Sequence, residues 1–209
     1  MPNTVYQKTR QAYNTLGRLY TAAVESLAPP ERKTFAKHLT PGAHILDVGC
    51  AGGRDANFFV QQGFRLTGID SSTVFIRIAK ARVPKAVFKV MDARKILFRP
   101  QTFDAIWANA VLLHLQRKDI PRVLRHFFRI LRIGGLLHVR VKIGRDSGWV
   151  TDQLAPQPRF FTYFTKAEMT SLLRTAGFRI QASQHFADES KRREVRWLSI
   201  EAVKPATKR

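Results

Sequence analysis

The stretch from His44 to Asp70, HILDVGCAGGRDANFFVQQGFRLTGID, constrains the chain more than any other. It reads as strand, glycine turn, helix, strand and carboxylate. Residues 44–48 are an apolar-rich run closing on Asp47 and Val48. Gly49, Cys50, Ala51, Gly52 and Gly53 form a turn with little side chain. Residues 54–62 form a short helix that Gly63 stops. Residues 65–69 form a second strand with Asp70 at its tip. Two parallel strands joined by one helix cross right-handed. The turn and Asp70 therefore lie side by side at the carboxyl edge of a sheet, where open α/β sheets take ligands. Bare backbone admits a ligand closely, and Asp70 offers acceptors to a pair of hydroxyls.

Two phosphate-binding fingerprints fail on the residues. A dinucleotide turn needs G-x-G-x-x-G, and counting from Gly49 the second and third positions are Ala51 and Arg54. A P-loop needs Lys and then Ser or Thr after its glycines, and here Arg54 and Asp55 follow. A nucleoside pocket without a strong phosphate signal remains. With Asp47, Gly49 and Gly53 in place and a second acid at Asp70, the stretch resembles the first motif of the class I S-adenosylmethionine-dependent methyltransferases. Ala51 replaces the motif's middle glycine, which is tolerable at negative φ and closes the turn to positive φ.

The rest of the chain continues the pattern. Residues 6–27 carry Tyr13, Leu16, Tyr20, Val24 and Leu27 at helical spacing, ended by Pro29 and Pro30, and residues 31–39 form a second short helix. Ser71 or Ser72 caps a helix running to Arg82. Residues 86–90 and 103–109 are strands. Residues 117–132 are a two-faced helix closed by Gly134 and Gly135, with residues 136–143 as the fifth strand. Residues 144–161 read as irregular cover. Thr165 and Glu168 form a capping box, with Phe164 and Met169 as its staple. Residues 178–186 and 195–203 form a final hairpin around the charged loop 187–194.

The resemblance, extending over all of this, implies a Rossmann-like α/β fold. It has seven mostly parallel strands in the order 3-2-1-4-5-7-6, strand 7 antiparallel, with helices on both faces. One domain over 1–209 is expected: helices 1–40 covering the cofactor site, a core over 41–143, and cover, helix and strand pair over 144–209. The segment is most similar to small bacterial methyltransferases of the ubiquinone-biosynthesis and tellurite-resistance types. Residues 159–178 also resemble a segment of tRNA wobble-uridine methyltransferases.

The resemblance implies S-adenosylmethionine as cofactor. Its expected contacts are Asp47, Gly49, Cys50, Ala51, Gly53, Asp70, Ser71, Ala93 and Asn109, with Asp92 accepting from the adenine amino group. Arg54 is either a fork for the cofactor carboxylate or a surface arginine. Tyr13 or Tyr20 either touches the cofactor or only packs. The donor carries its own activation, so position and a dry site suffice, and a base is needed only when the acceptor must lose a proton. His114, after the fourth strand, is the acid/base candidate, set against a structural histidine. No histidine or cysteine spacing suits a metal, and none is expected.

Composition bears on the acceptor. Thirty-six Lys and Arg stand against fifteen Asp and Glu, a formal charge of +21. That balance favours polyanions, and Lys118, Arg122, Arg125, Arg129 and Arg132 form a basic stripe on one helix. A small-molecule acceptor is the leading expectation. An RNA substrate bound through the stripe, or a non-catalytic nucleic-acid-binding protein of the same fold, are the alternatives. The single cysteine, the absence of a signal-like run and the absence of a membrane-length apolar run fit a cytoplasmic setting. Oligomeric state is not legible.

Overall fold

A computed structural model describes residues 4–152, 155–188 and 195–206. Five strands run parallel: β1 (His44–Val48), β2 (Arg65–Asp70), β3 (Val87–Val90), β4 (Phe103–Asn109) and β5 (Leu131–Lys142). Between them lie α3 (Arg54–Gln61), α4 (Thr73–Arg82) and α5 (Ile120–Ile130), after the amino-terminal α1 (Val5–Ala23) and α2 (Glu31–Lys37). Beyond β5 come the strands β6 (Ser147–Asp152) and β7 (Ala155–Thr162), α6 (Lys166–Thr175), β8 (Arg179–Ala187) and β9 (Arg196–Val203). The main sheet has the order β3-β2-β1-β4-β5-β9-β8, with β9 antiparallel to both neighbours. This is the expected order of the seven strands.

The central strands bury both faces, which is why they read as nearly continuous apolar runs. Alternate residues serve alternate cores. Leu46, Ile106 and Val139 pack with Val123 and Phe127 of α5 and Met169 of α6. Ile45, Ala105 and Trp107 pack with Phe35 of α2, Phe59 of α3 and Ala79 of α4. The parallel strands thus end together, bringing Asp47, Asp70 and Asn109 to one edge.

Several boundaries differ from the sequence reading. Helix α1 stops at Ala23 and is broken at Gly17, whose φ of 42° and ψ of −116° lie outside helical space. Helix α5 ends at Ile130, because the backbone of Gly134 and Gly135 pairs with Lys204 of the sheet instead of closing a helix. The segment 144–161 is not irregular: β6 and β7 form an antiparallel hairpin of their own. Ser72 is the cap of α4, accepting from Phe75 N–H at 3.1 Å. Thr165 caps α6, but the box is half made, since the Glu168 carboxylate binds Arg117. A full capping box instead opens α1, between Thr4 and Gln7. In the loop 187–194, residues 189–194 lie outside the described residues.

Candidate active site

The carboxyl edge of β1, β2 and β4 forms the floor of a cavity of about 210 Å³, roofed by α1 and the β6–β7 hairpin. Of the expected residues, Asp47, Gly49, Cys50, Ala51, Arg54, Asp70, Ser71, Ala93, Asn109 and His114 come together on its wall, and Gly53 and Asp92 do not.

The floor begins at the glycine turn. Gly49 and Cys50 donate their N–H groups to the Ile69 carbonyl, locking the turn onto β2. Ala51 stands at φ 44°, so the expectation that alanine keeps this turn at negative φ is overturned. Its N–H donates to Asp70 Oδ2 at 3.1 Å, which holds the left-handed conformation in place. The glycines are required mainly by the chain itself. A Cβ on Gly49 would meet Val111 at 2.7 Å, and one on Gly52 would meet Thr21 at 2.3 Å. Gly53 serves α3 as a left-handed N-cap.

Asp70 holds both sides of the floor. Oδ1 accepts from Ser72 N–H at 2.8 Å while Oδ2 holds Ala51. Burial pushes its carboxyl up to about 6, against the pull of these backbone donors. A buried carboxylate can accept more than two hydrogen bonds, and a vicinal diol supplies what this one lacks. Asp47 is buried, and its Oδ2 has no hydrogen-bond partner. Burial, then the neighbouring Asp55, raise its carboxyl well above the carboxylate range. An ammonium donor would relieve that orphaned oxygen. The ribose hydroxyls and amino group of S-adenosylmethionine are donors of these two kinds, so the residues fit that cofactor.

Two expected contacts are engaged elsewhere. Arg54 is neither a fork for a ligand nor a surface residue. Its Nε and Nη2 bind Asp55, and Nη1 donates to the carbonyls of Val24 and Leu27 at 2.8 and 2.9 Å, tying down the chain after α1. Asp92 is gripped by Arg94, which donates to it from Nε, Nη2 and its backbone N–H, while Met91 and Ala93 on either side face the cavity. Its side chain is thus already paired with Arg94, and its assignment to the adenine amino group stays an expectation.

The sequence reading missed Asp55. It accepts from Arg32, Arg54, Trp107 Nε1 and Asn109 Nδ2, all between 2.9 and 3.1 Å. Burial opposes its ionisation, but the Arg54 charge and these donors hold the carboxyl far below the usual range. Asn109 is therefore turned by Asp55, which leaves its Oδ1 buried at the cavity without a partner.

At the other end stand Tyr13 and His114. His114 Nδ1–H donates to the Phe160 carbonyl at 2.8 Å, so Nε2 is the acceptor and receives the Tyr13 hydroxyl at 2.7 Å. Arg159 Nη1 donates to the same hydroxyl at 3.1 Å. Burial drives His114 down to about 3, and Arg159 and Lys142 add to the drop. Burial likewise raises Tyr13 well above its usual value. His114 is a neutral acceptor whose free nitrogen is already spoken for by Tyr13. Tyr20 packs edge-on to Tyr13 at 5.0 Å and shares the wall. Arg140, Lys142 and Arg159 complete this end. Arg140 and Lys142 show one legible signal, since charges at alternate positions of an apolar strand must share a face.

The basic stripe is largely engaged by the chain itself. Arg122 pairs with Asp119, Arg129 donates to the carbonyls of Ile96 and Phe98, and Arg132 binds Asp104 and the Gln101 carbonyl. Among the described residues no cluster of three His, Cys, Asp or Glu could hold a metal, and no helix is long and apolar enough to cross a membrane.

Comparison with known proteins follows the same ground. A methyltransferase-domain family model matches residues 45–135. An uncharacterized methyltransferase of Synechocystis is 26% identical over 160 residues, spanning 73% of this chain and 74% of that protein. Phosphoethanolamine N-methyltransferase 3 of Arabidopsis thaliana is 30% identical over 155 residues, 67% of this chain but only 29% of that longer protein. In fold, the chain is similar to the 1,6-didemethyltoxoflavin-N1-methyltransferase of Burkholderia thailandensis, solved with bound 1,6-didemethyltoxoflavin and S-adenosylhomocysteine. The TM-score is 0.77 at 23% identity, over 94% of this chain and 87% of that one. The methyltransferase domain covers the glycine turn and both acidic strand ends, and the sheet has the strand order that the motif implied. Residues 45–135 carry a methyltransferase domain, and the chain has the fold of S-adenosylmethionine-dependent methyltransferases.

Proposed function

We propose that the chain transfers a methyl group from S-adenosylmethionine to a small-molecule acceptor held between α1 and the β6–β7 hairpin. The observation that carries this reading is one cavity with two differently equipped ends. One end offers the acceptors Asp47 and Asp70, and the other a Tyr13 hydroxyl fixed between Arg159 and His114. The names of the Arabidopsis and Burkholderia proteins describe methylation at nitrogen in small molecules, which is consistent with an acceptor of that size.

When bound, the cofactor supplies a methyl group already activated as a sulfonium. Asp70 holds a pair of hydroxyls, Asp47 Oδ2 receives an ammonium, and the apolar faces of Met91 and Ala93 bound a planar base. Tyr13 directs its oxygen to the acceptor end. Arg159 donates to that oxygen and His114 Nε2 accepts its hydrogen bond. The N–H or O–H of the acceptor can therefore donate to the Tyr13 oxygen, which orients it for transfer, and its proton leaves to solvent once the methyl group has moved. The low basicity of His114 and the raised Tyr13 hydroxyl keep the phenolic proton on Tyr13 throughout. The α1 roof excludes water from the path of transfer.

The test is methyl transfer from labelled donor to fractionated cell metabolites and, separately, to cell RNA. Label in a small-molecule fraction, lost with Tyr13→Phe, is expected. Label confined to RNA would overturn the acceptor class.

A further inference from the structure

The acceptor end of the cavity carries charge that the methyl-transfer chemistry does not need. Arg159 is 2% exposed, and it lies on the cavity wall. Its Nη1 donates to Tyr13 and its Nη2 to Asp152, yet its Nε is buried with no hydrogen-bond partner. One ion pair and one phenol therefore do not exhaust the guanidinium. A buried N–H left in this way is costly, and a ligand acceptor would satisfy it.

Arg159 does not stand alone. Its guanidinium lies 5.3 Å from the centre of the Phe161 ring, and Lys142 Nζ lies 3.9 Å from the centre of the same ring. Lys142 is also 5.8 Å from the Trp197 ring, on which Arg140 rests at 4.3 Å. Three buried cations thus follow one another along two aromatic rings of a single wall, with Arg10 on the roof. The carboxylates facing them are Asp152, on Arg159, and Asp188, which accepts from Trp197 Nε1; Glu31 meets Arg140 from outside the cavity. The charged groups that bear on His114 are Arg159 and Lys142, both cations.

We propose that the methyl acceptor carries an oxyanion, a carboxylate or phosphate, received by Arg159 Nε–H and the positive field of Lys142. This rests on the small-molecule reading above and narrows it. Because Arg159 also holds the Tyr13 hydroxyl, the oxyanion sits next to the group that orients the acceptor. The acceptor is then compact, with its anionic group a few bonds from the atom that is methylated. Arg159 both orients Tyr13 and binds substrate, and Phe161 and Trp197 keep water from screening the charge.

The experiment uses the full chain saturated with S-adenosylhomocysteine, with calorimetric titration of inorganic phosphate, acetate and, as a control, tetramethylammonium at fixed ionic strength. Saturable binding of at least one anion and none of the cation is expected. Phosphate binding more tightly than acetate identifies a phosphate acceptor, and the reverse a carboxylate. Arg159→Lys keeps the charge but removes Nε–H, and should weaken the anion at least tenfold while S-adenosylhomocysteine affinity stays within twofold. Should that variant not fold, Lys142→Gln is read in its place, with the same expectation. No saturable anion binding by the wild type overturns the proposal, as does anion binding that neither substitution weakens. If S-adenosylhomocysteine itself does not bind, the methyltransferase reading has failed on its own account, and the titration is read on the ligand-free chain by the same criteria.

Discussion

The two ends of the cavity differ in charge and in how the chain assembles them. The cofactor end is acidic, built on Asp47 and Asp70, and its floor comes from one β–turn–α–β unit. The acceptor end is cationic and aromatic. It draws Tyr13 from α1, His114 from the turn after β4, Lys142 from β5, Arg159 and Phe161 from β7, and Trp197 from β9. In the proposed function the first end takes a constant ligand and can be specified locally. The second would take one particular acceptor, and it is placed where cover elements meet, so that it can change without disturbing the sheet.

The sharpest way to break this division is at Tyr13. Tyr13→Phe removes one oxygen and keeps the ring packed against Tyr20 and Phe75. Turnover should fall by about 10²-fold, the cost of losing the group that positions the acceptor. Affinity for S-adenosylhomocysteine, measured by calorimetry, should hardly move. An equal loss in both would mean that the two ends are not separate.

Asp70→Ala is the converse. It removes charge-assisted bonds worth about 1.5–3 kcal/mol each at most. Cofactor affinity should fall at least about tenfold, and a thermal melt should show a folded protein. Unchanged affinity would take Asp70 out of the site.

A third outcome concerns pH. Asp70 titrates near 6 in the ligand-free protein, raised from 3.8 by burial. Its acceptor capacity is complete above that value and lost below it. Affinity for S-adenosylhomocysteine should be level above pH 6 and decline as pH falls through 6, by up to about a decade per unit. Asp70→Asn should flatten that profile. Stability runs the other way for this group: its contribution is greatest below 3.8 and is lost as pH rises through about 6. A pH-independent affinity would show that the carboxylate does not meet the ligand.

The smallest effect is expected outside the cavity. Lys118, Arg122 and Arg125 belong to the basic stripe but not to its ties with the backbone of 96–101. Changing all three to Gln should leave turnover on a small acceptor within about twofold, as exposed surface charges contribute little. A large loss, or loss of RNA methylation alone, would move the acceptor out of the cavity.

The legibility of the molecule follows the same division. The place of Asp70 beside the glycine turn could be read because a β–α–β unit obeys local rules of handedness and period, whereas the strand order came from the family resemblance. Arg54 was misread because its partners, the carbonyls of Val24 and Leu27, belong to a helix end that sequence spacing set too late. The pairing of Asp92 with Arg94, two residues on, was not legible, because a short-range ion pair is invisible to a motif. The β6–β7 hairpin was hidden by Pro156 and Pro158, which suggest irregularity but are tolerated in a two-stranded ribbon with open edges. Asp55 was passed over because its donors Trp107 and Asn109 are more than fifty positions away.

Helix α1 crosses both ends. Its first half lends Tyr13 to one ligand, its second half leads through Val24 and Leu27 to Arg54 beside the other, and Gly17 separates the halves with a bend that no helix adopts. Two occupants that share one wall cannot be thermodynamically independent. Whatever the first does to settle that wall, the second inherits. The linkage is reciprocal, so the factor by which cofactor sharpens acceptor binding must equal the factor by which acceptor sharpens cofactor binding. Stiffening the bend with Gly17→Ala, in a conformation that alanine resists and with an added Cβ that would meet Val74 of α4 at 3.2 Å, would alter both affinities together.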